Sequence, residues 1–288
     1  MKFLTFKKVS TFILTVSVFF SLLNISCAKK TKPDDTGVVF DSIQVNKTQS
    51  VDYKDSKLNC NLHILFTYPV ACKQTSSLGD LQKMFIEKVF PSQYVNLSPQ
   101  EAIDSFSTQY LKDFQAIKWN DSFDEDAMLE DDDSFIYELS VEDKVLYNKD
   151  NLISFVVKNT NNEGGGGADI SNSVYGYVFD LKTGKMLTED DFAGDDYKKN
   201  VSSILAEKIA AANGLGDVSQ LVTVGGYNSI EDIAPNGNFI IDDKGITYYF
   251  NENQIAAGFV GITEVFIPYE ELKASITNDN PISSLAGL

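Results

Sequence analysis

Three thiols and one imidazole are the side chains of this sequence best suited to covalent chemistry. They are Cys27, Cys60, Cys72 and His63, and the 288 residues hold no second His. A cysteine nucleophile needs an imidazole within hydrogen-bonding reach. Cys60 and His63 lie three positions apart in the alternating segment 60–68, so a strand would point them to opposite faces. The spacing therefore disfavours a Cys–His dyad, and no G-x-S-x-G motif offers a serine nucleophile instead.

Carboxylates are the other reactive groups, with 41 Asp and Glu residues in the chain. Two of them facing each other across a cleft would be able to hydrolyse a glycosidic bond, which keeps a glycan hydrolase open as an alternative function. The densest acidic run, residues 123–133, lacks the alternating Asp positions and central Gly of an EF-hand. We interpret it as a solvated loop, with a calcium-stabilised structural module as a further alternative. We predict no metal site and no cofactor.

A Gly-rich loop and several tyrosines are the best candidates for ligand contacts. The loop at 164–167 lacks the G-x-x-x-x-G-K-[ST] pattern of a phosphate loop, so it is either a flexible hairpin loop or a close approach to a ligand. A tyrosine offers a large apolar face and a hydroxyl group, although packing explains many of them. In the segment 246–251, alternation places one set of aromatic residues in the core and the other on a surface. The candidate ligand-binding residues are Gly165, Gly166, Asp169, Tyr177, Tyr249 and Tyr269.

The charge of the chain restricts its partners. All 24 basic residues are lysines, and the formal net charge is −17. Nucleic acid is excluded as a partner by this charge, and the lack of arginine removes the bidentate fork that grips phosphate. The acidic balance instead favours a cationic partner.

The first 26 residues are typical of a secretory signal. Lys2, Lys7 and Lys8 precede a short apolar run, 12–23, and Ser26 precedes Cys27. This arrangement resembles a bacterial lipobox, although Asn24 stands where an aliphatic residue is usual. We predict that Cys27 is lipidated and anchors the protein to a membrane outside the cytoplasm. An ordinary cleaved signal peptide is the alternative.

An exported protein can hold disulfides. We therefore predict a bridge between Cys60 and Cys72, with two buried free thiols as the alternative. It would close a loop of about a dozen residues and contribute about 3 kcal/mol.

The elements that must position these groups form hairpins and a few helices. Ser98, Pro99 and Glu101 form a capping box that opens a helix, and Pro91 ends an earlier helix over 78–89. A third helix covers 195–213, and Gly214 stops it. Strands are predicted at 60–68, 135–139, 144–147, 152–157, 174–181, 239–241, 246–250 and 263–267, with a short helix over 269–276. This pattern predicts an α+β fold with a mainly antiparallel sheet.

Several phrases in the second half of the chain resemble one family. They are Gly164–Asp169, Tyr177–Lys185, Leu187–Phe192, Phe239–Phe250 and Ala257–Leu272. Together they are similar to the RsiV-like extracellular domain family, domain of unknown function 3298. Residues 50–160 resemble, more weakly, the companion half found in PdaC-type deacetylases. The family often has a His where this chain has Asp169, so any role of an imidazole there would fall to a carboxylate. The resemblance implies the fold and an envelope-facing role.

The expected organisation is therefore one α+β domain in two packed halves. It comprises a signal peptide at 1–26, a polar tether at 27–49, an N-terminal half at 50–160, a C-terminal half at 161–276 and a tail at 277–288. We expect a lipoprotein of the cell envelope that binds or senses, without catalysis, a peptidoglycan fragment or a cationic protein such as lysozyme.

Overall fold

The computed structural model describes residues 36–53, 56–73, 77–117, 136–163 and 170–288. In this part of the chain it has nine strands and six helices. The strands are β1 (Val39–Tyr53), β2 (Ser56–Ala71), β3 (Ile136–Lys149), β4 (Leu152–Glu163), β5 (Ile170–Asp180), β6 (Lys185–Met186), β7 (Phe239–Ile241), β8 (Gly245–Phe250) and β9 (Thr263–Pro268). The helices are α1 (Leu78–Val89), α2 (Pro99–Ala116), α3 (Tyr197–Ala212), α4 (Gln220–Thr223), α5 (Tyr269–Leu272) and α6 (Ser283–Ala286).

A six-stranded sheet forms the frame, with its strands in chain order from β1 to β6. Neighbouring strands are antiparallel except β2 and β3, whose connection contains α1 and α2. Strands β7, β8 and β9 form a separate antiparallel sheet. The fold is α+β with mainly antiparallel pairing, which confirms the sequence prediction; the one parallel pair needs a long crossover, as parallel strands do.

Helices α1 and α2 cover one face of the large sheet. Alternate strand residues such as Ile64, Val141 and Phe155 share a buried cluster with Phe85 of α1 and Ile103 of α2. The rings of Phe85 and Phe155 stack at 4.3 Å between centroids. The predicted capping box is present at the start of α2, since the Ser98 hydroxyl accepts from the Glu101 N–H and the Glu101 carboxylate accepts from the Ser98 N–H.

The small sheet lies against the opposite face of β4 and β5. Strand β7 crosses β5 at Gly176, where a Cβ atom would lie 2.6 Å from the carbonyl oxygen of Phe239. It then passes over β4, where the hydroxyl of Ser154 donates to the carbonyl of Ile241 at 2.5 Å. Residues of β8 are buried on both faces, because one face packs on the large sheet and the other on α3.

Side chains next to β7 and β8 also protect the outer edge of β5, which has no backbone partner along most of its length among the described residues. The amide side chain of Asn238 accepts from the Gly176 N–H and donates to the Val174 carbonyl, at 2.7 and 2.9 Å. Asn251 accepts from the Val174 N–H at 2.7 Å, and Glu252 accepts from the Asn172 N–H at 3.1 Å. Three side chains thus take the place of a neighbouring strand. They satisfy backbone N–H and C=O groups that would lack hydrogen-bond partners at an exposed edge.

Three expectations about the chain's organisation need correction. The predicted tether at 27–49 is wrong from Val39 onward, because Val39–Tyr53 forms the edge strand β1. Polar residues occupy the uncovered face of this edge strand, so the segment lacks the sustained apolar pattern of a buried strand. The predicted tail at 277–288 contributes Ile282 and Ala286 to the core. Pro69 lies inside β2 and does not end it. It comes after the last residue of β2 that pairs with β3, so its missing N–H removes no hydrogen bond to β3.

Candidate binding site

Four of the predicted site residues lie outside the described part of the chain. They are Cys27 and the loop residues Gly165, Gly166 and Asp169. The acidic run 123–133 and the signal segment 1–26 also lie outside it.

The three predicted tyrosines do not form a common surface. Tyr177 is half-buried on the helix-covered face, with its ring 5.2 Å from that of Phe155 and the Lys88 ammonium 5.7 Å from its centre. Tyr249 is only 5% exposed and packs between the two sheets, and Tyr269, also 5% exposed, lies in the core beside α3. Tyr249 is therefore a core residue, because the small sheet is covered on both faces, which alternation within one strand does not reveal. Tyr269 is also a core residue, because α5 packs into the cluster that contains α3.

The predicted disulfide is also wrong, since Cys60 and Cys72 are both free. Cys60 lies within β2 and Cys72 follows its last residue, Ala71. Twelve residues of extended strand separate the two by roughly 40 Å, whereas bridged Cα atoms lie within about 7 Å. Burial raises the pKa of the Cys60 thiol to about 11, so it is a packing residue and not a nucleophile.

His63 is a surface link between strands. Its Nδ1 lies 2.6 Å from the Asn46 side-chain oxygen on β1, and its Nε2 lies 3.1 Å from a Glu142 oxygen on β3. Both ring nitrogens are thus engaged, and Cys60 lies on the opposite, buried face. This arrangement agrees with the prediction that the two residues form no dyad.

The family-like phrase Asp180–Lys185 builds a turn. The Asp180 carboxylate accepts from the Lys182 N–H at 2.8 Å and from the Thr183 hydroxyl at 2.9 Å, and Gly184 has a φ of +71°. The adjoining cavity of about 360 Å³ is lined by both Asp80 and Lys182, so its charges favour neither an anionic nor a cationic ligand. These residues are explained by the turn they hold.

A hydrogen-bonded chain of Glu189, Tyr248 and Tyr197 joins the segment after β6 to β8 and to α3. The hydroxyls of Tyr197 and Tyr248 lie 2.8 Å apart, and the Tyr248 hydroxyl also bonds the Glu189 carboxylate. Burial raises the pKa of Glu189, although the Gly237 N–H at 3.2 Å stabilises its charged form. Tyr197 and Tyr248 are fully enclosed, so this group of side chains is part of the packing between β8 and α3.

Two loops present the most exposed apolar side chains of the described residues. Val222–Asn228 and Ile255–Gly261, which we call the paired loops, are joined by hydrogen bonds from the Ala257 N–H to the Gly226 carbonyl and from the Asn228 N–H to the Ile255 carbonyl, both 2.9 Å. Phe259 is 84% exposed and Val224 is 73% exposed. The Phe259 ring rests on the backbone of Gly226, which has a φ of +79° and no side chain to hold it away.

The segment that carries these loops is almost free of positive charge. Between Lys208 and Lys273 the sequence has nine carboxylates and a single lysine, Lys244. Seven of the nine are exposed: Asp217, Glu231, Asp232, Asp243, Glu264, Glu270 and Glu271. The surface of this segment is therefore anionic, and it also carries the exposed Phe259 ring.

A groove of about 320 Å³ lies alongside α3, and we call it the acceptor groove. Its lining, from α3 and from the chain on either side of α4, comprises Ser202, Ser203, Ala206, Glu207, Val218, Ile230 and Glu231. The hydroxyls of Ser202 and Ser203 donate to the carbonyls of Lys198 and Lys199, at 2.7 and 3.3 Å. The lining of the groove therefore combines serine and glutamate oxygens with the apolar side chains of Ala206, Val218 and Ile230.

Neither metal nor acid–base chemistry is assembled in these regions. The described ranges contain no group of three His, Cys, Asp or Glu residues placed to hold a metal ion. Glu207 and Glu231 share the acceptor groove, but the Ser229 hydroxyl, which bonds Glu231, lowers the pKa of Glu231. A glycan hydrolase needs one carboxylic acid whose pKa is raised so that it can donate a proton. Within the described residues, no helix is both long and apolar enough to span a membrane.

Sequence reasoning missed both the paired loops and the acceptor groove. Apolar residues at 222, 224 and 259 among glycines, without strand alternation, were a signal for exposed loop side chains. The groove had none, because Ser203 and Ile230 are brought together only by the tertiary fold.

Comparison with known proteins places the chain in a family. The family model described as "Protein of unknown function (DUF3298)" matches residues 187–270, a shorter segment than the predicted 161–276. A DUF3298 family member from Bacteroides fragilis is 30% identical over 88% of this chain and 99% of that chain, with a TM-score of 0.74. A DUF3298 protein from Pseudomonas aeruginosa, 13% identical, shares the fold with a TM-score of 0.52 over 82% and 94% of the two chains. No curated protein matches the chain. The protein belongs to the DUF3298 family.

Proposed function

We propose that this protein is a cell-envelope lipoprotein whose globular domain binds a cationic extracytoplasmic protein such as lysozyme, without catalysis. The observation that carries this proposal is the exposure of Phe259 and Val224 on a segment with nine carboxylates and one lysine. Aromatic side chains supply contact area at interfaces, and complementary charge speeds and orients association.

The sequence at the N-terminus supports the proposed location. A basic start, a short apolar run and Ser26-Cys27 support export and acylation, so the protein would hold the membrane through lipid on Cys27. The RsiV-like resemblance, with a PdaC-type companion half, supports a domain that faces the envelope and senses events there. Peptidoglycan fragments are the second ligand class that this resemblance supports.

A binding role also agrees with the chemistry of the described residues. Cys60 is buried with a raised pKa, His63 is held by two neighbours, and Glu231 has a lowered pKa. These groups offer neither an activated nucleophile nor a proton donor poised in a groove.

Isothermal titration of the protein with hen egg-white lysozyme tests the proposal. We expect micromolar or tighter binding that weakens as salt is added, because screening reduces attraction between opposite charges. Phe259→Ala should weaken binding at least tenfold. The matched control is Ile170→Thr, which removes a similarly large exposed apolar side chain from β5.

Three results would decide against parts of the proposal. Absence of lysozyme binding at high micromolar concentration removes the cationic-protein version, and binding of muropeptides in the same experiment would favour the glycan instead. Equal losses in Phe259→Ala and Ile170→Thr would show that the paired loops are not the contact surface.

A further inference from the structure

We infer that the acceptor groove beside α3 receives a lysine or arginine side chain from a cationic protein partner. This inference deepens the proposed function and rests on it. It identifies a pocket, separate from Phe259 in sequence, and the chemical class of group that would fill the pocket.

The polar side chains that line the groove are available as hydrogen-bond acceptors and not as donors. The Ser202 and Ser203 hydroxyls donate to the helix carbonyls of Lys198 and Lys199, so these oxygens can only accept a further hydrogen bond. Glu231 accepts a hydrogen bond from the Ser229 hydroxyl, and this bond lowers the pKa of the Glu231 carboxyl group. Lysine and arginine are the side chains that carry only donors, so they complement such a lining.

The apolar lining selects a cation with a hydrocarbon stem. Ala206, Val218 and Ile230 form the part of the groove that lacks polar side chains. The methylene chain of lysine or arginine packs on apolar surface while its charged end meets oxygen atoms at the rim. A hydrated metal ion gains nothing from contact with apolar side chains. The described residues also contain no group of three His, Cys, Asp or Glu residues placed to hold a metal ion.

The size and the neighbouring charges agree with a single inserted side chain. A volume of about 320 Å³ is at the low end for a pocket that holds a small molecule. The nearby Lys208 is directed to Glu271, with Nζ 2.9 Å from its oxygen, and the lining of the groove includes no lysine. Lys198 and Lys199 are exposed one turn of α3 before Ser202 and Ser203, but neither lines the groove, whose only charged lining residues are Glu207 and Glu231. The charge of these two carboxylates is left for a partner to neutralise.

Three variants test the groove through lysozyme titration. Glu207→Gln/Glu231→Gln should lower affinity at least tenfold, because the inserted cation loses both charged partners. Ser203→Lys, which puts a tethered ammonium over the groove on an exposed face of α3, should lower affinity similarly. The control Asp104→Asn/Asp113→Asn removes two exposed charges from α2, outside the Lys208–Lys273 segment, and should change affinity less than twofold.

An NMR titration with small amides tests the groove independently of lysozyme binding. In a heteronuclear NMR titration, N-acetyl-lysine amide should shift the amide signals of Ser202, Ala206, Val218 and Ile230. N-acetyl-norleucine amide, which lacks the ammonium group, should not.

The outcomes distinguish the two proposals. If lysozyme binds but both double variants weaken binding equally, attraction is general and the groove inference is overturned while the proposed function stands. If lysozyme does not bind, the cationic-protein proposal falls. The NMR titration then decides the groove: shifts confined to its lining support it, and shifts that are absent or equal for both probes reject it.

Discussion

Asp143 is a carboxylic acid that the fold encloses at the point where β2 and β3 separate. It is 2% exposed, and its Oδ1 accepts from the Thr67 N–H at 2.5 Å, just past the last paired residues, Leu65 and Glu142. Its Oδ2 has no hydrogen-bond partner among the described residues. Burial raises the pKa of Asp143 well above its ordinary value, and the bonds from Thr67 only partly offset this.

The raised pKa predicts a pH-dependent stability. Above about pH 4 the unfolded chain releases the Asp143 proton while the folded protein keeps it. The free energy of unfolding should therefore fall as pH rises, by up to about 1.4 kcal/mol per pH unit until the folded pKa is reached. Asp143→Asn should flatten this part of the curve, as measured by urea denaturation between pH 4 and 8.

An exposed acid supplies the control for this prediction. Asp104→Asn on α2 should leave the wild-type pH dependence in place. Parallel curves for wild type and Asp143→Asn would contradict the assignment of a protonated buried acid.

At the scale of the element, helix α2 depends on its cap. The Ser98 hydroxyl satisfies the Glu101 N–H, and the Glu101 carboxylate satisfies the Ser98 N–H at 3.0 Å. Ser98→Ala should lower the free energy of unfolding by about 1 kcal/mol, because a backbone donor of the first turn loses its partner.

The same substitution inside the helix is the matched control. Ser105 lies on the exposed face of α2, where alanine is the better helix former, so Ser105→Ala should be neutral or slightly stabilising. Equal losses for the two variants in urea denaturation would show that the cap contributes nothing specific.

The edge of β5 shows how elements from separate segments complete each other. The backbone N–H groups of Gly176, Val174 and Asn172 meet no neighbouring strand on that side within the described residues, and they donate instead to the side chains of Asn238, Asn251 and Glu252. The small sheet therefore does two things: it covers apolar residues and it closes an edge on which another chain would otherwise pair.

At the scale of the whole molecule, the two sheets are joined by a close backbone crossing. Strand β7 passes so close to β5 that a Cβ atom on Gly176 would meet the Phe239 carbonyl oxygen at 2.6 Å. Gly176→Ala should lower the free energy of unfolding by roughly 1–3 kcal/mol, because β7 must move away from β5.

Gly79 provides the matched control for this crossing. It lies in α1, and a methyl group added to its Cα would have no atom of the described residues within 4 Å, so Gly79→Ala should be neutral or stabilising. A thermal or urea melt of Gly176→Ala that overlays that of Gly79→Ala would contradict the close crossing.

Local chemistry accounts for what could be predicted from the sequence by itself. The capping box at Ser98, the stop after α3 at Gly214, the hairpin joining β7 and β8, and the family-like phrases are all encoded by neighbouring residues. Such signals depend on bonds that close within a few positions, and they led to the α+β class and to the family.

Only the tertiary structure decided which faces are covered. Tyr249 alternates like a surface residue but is enclosed by a second sheet, and β1 resembles a tether in sequence because one of its faces stays open. The length of β2 placed Cys60 and Cys72 far apart, although their sequence spacing suited a bridge. The acceptor groove joins Glu207 to Glu231 across α4. Burial and contact between distant segments depend on how layers stack, and no local pattern carries that information.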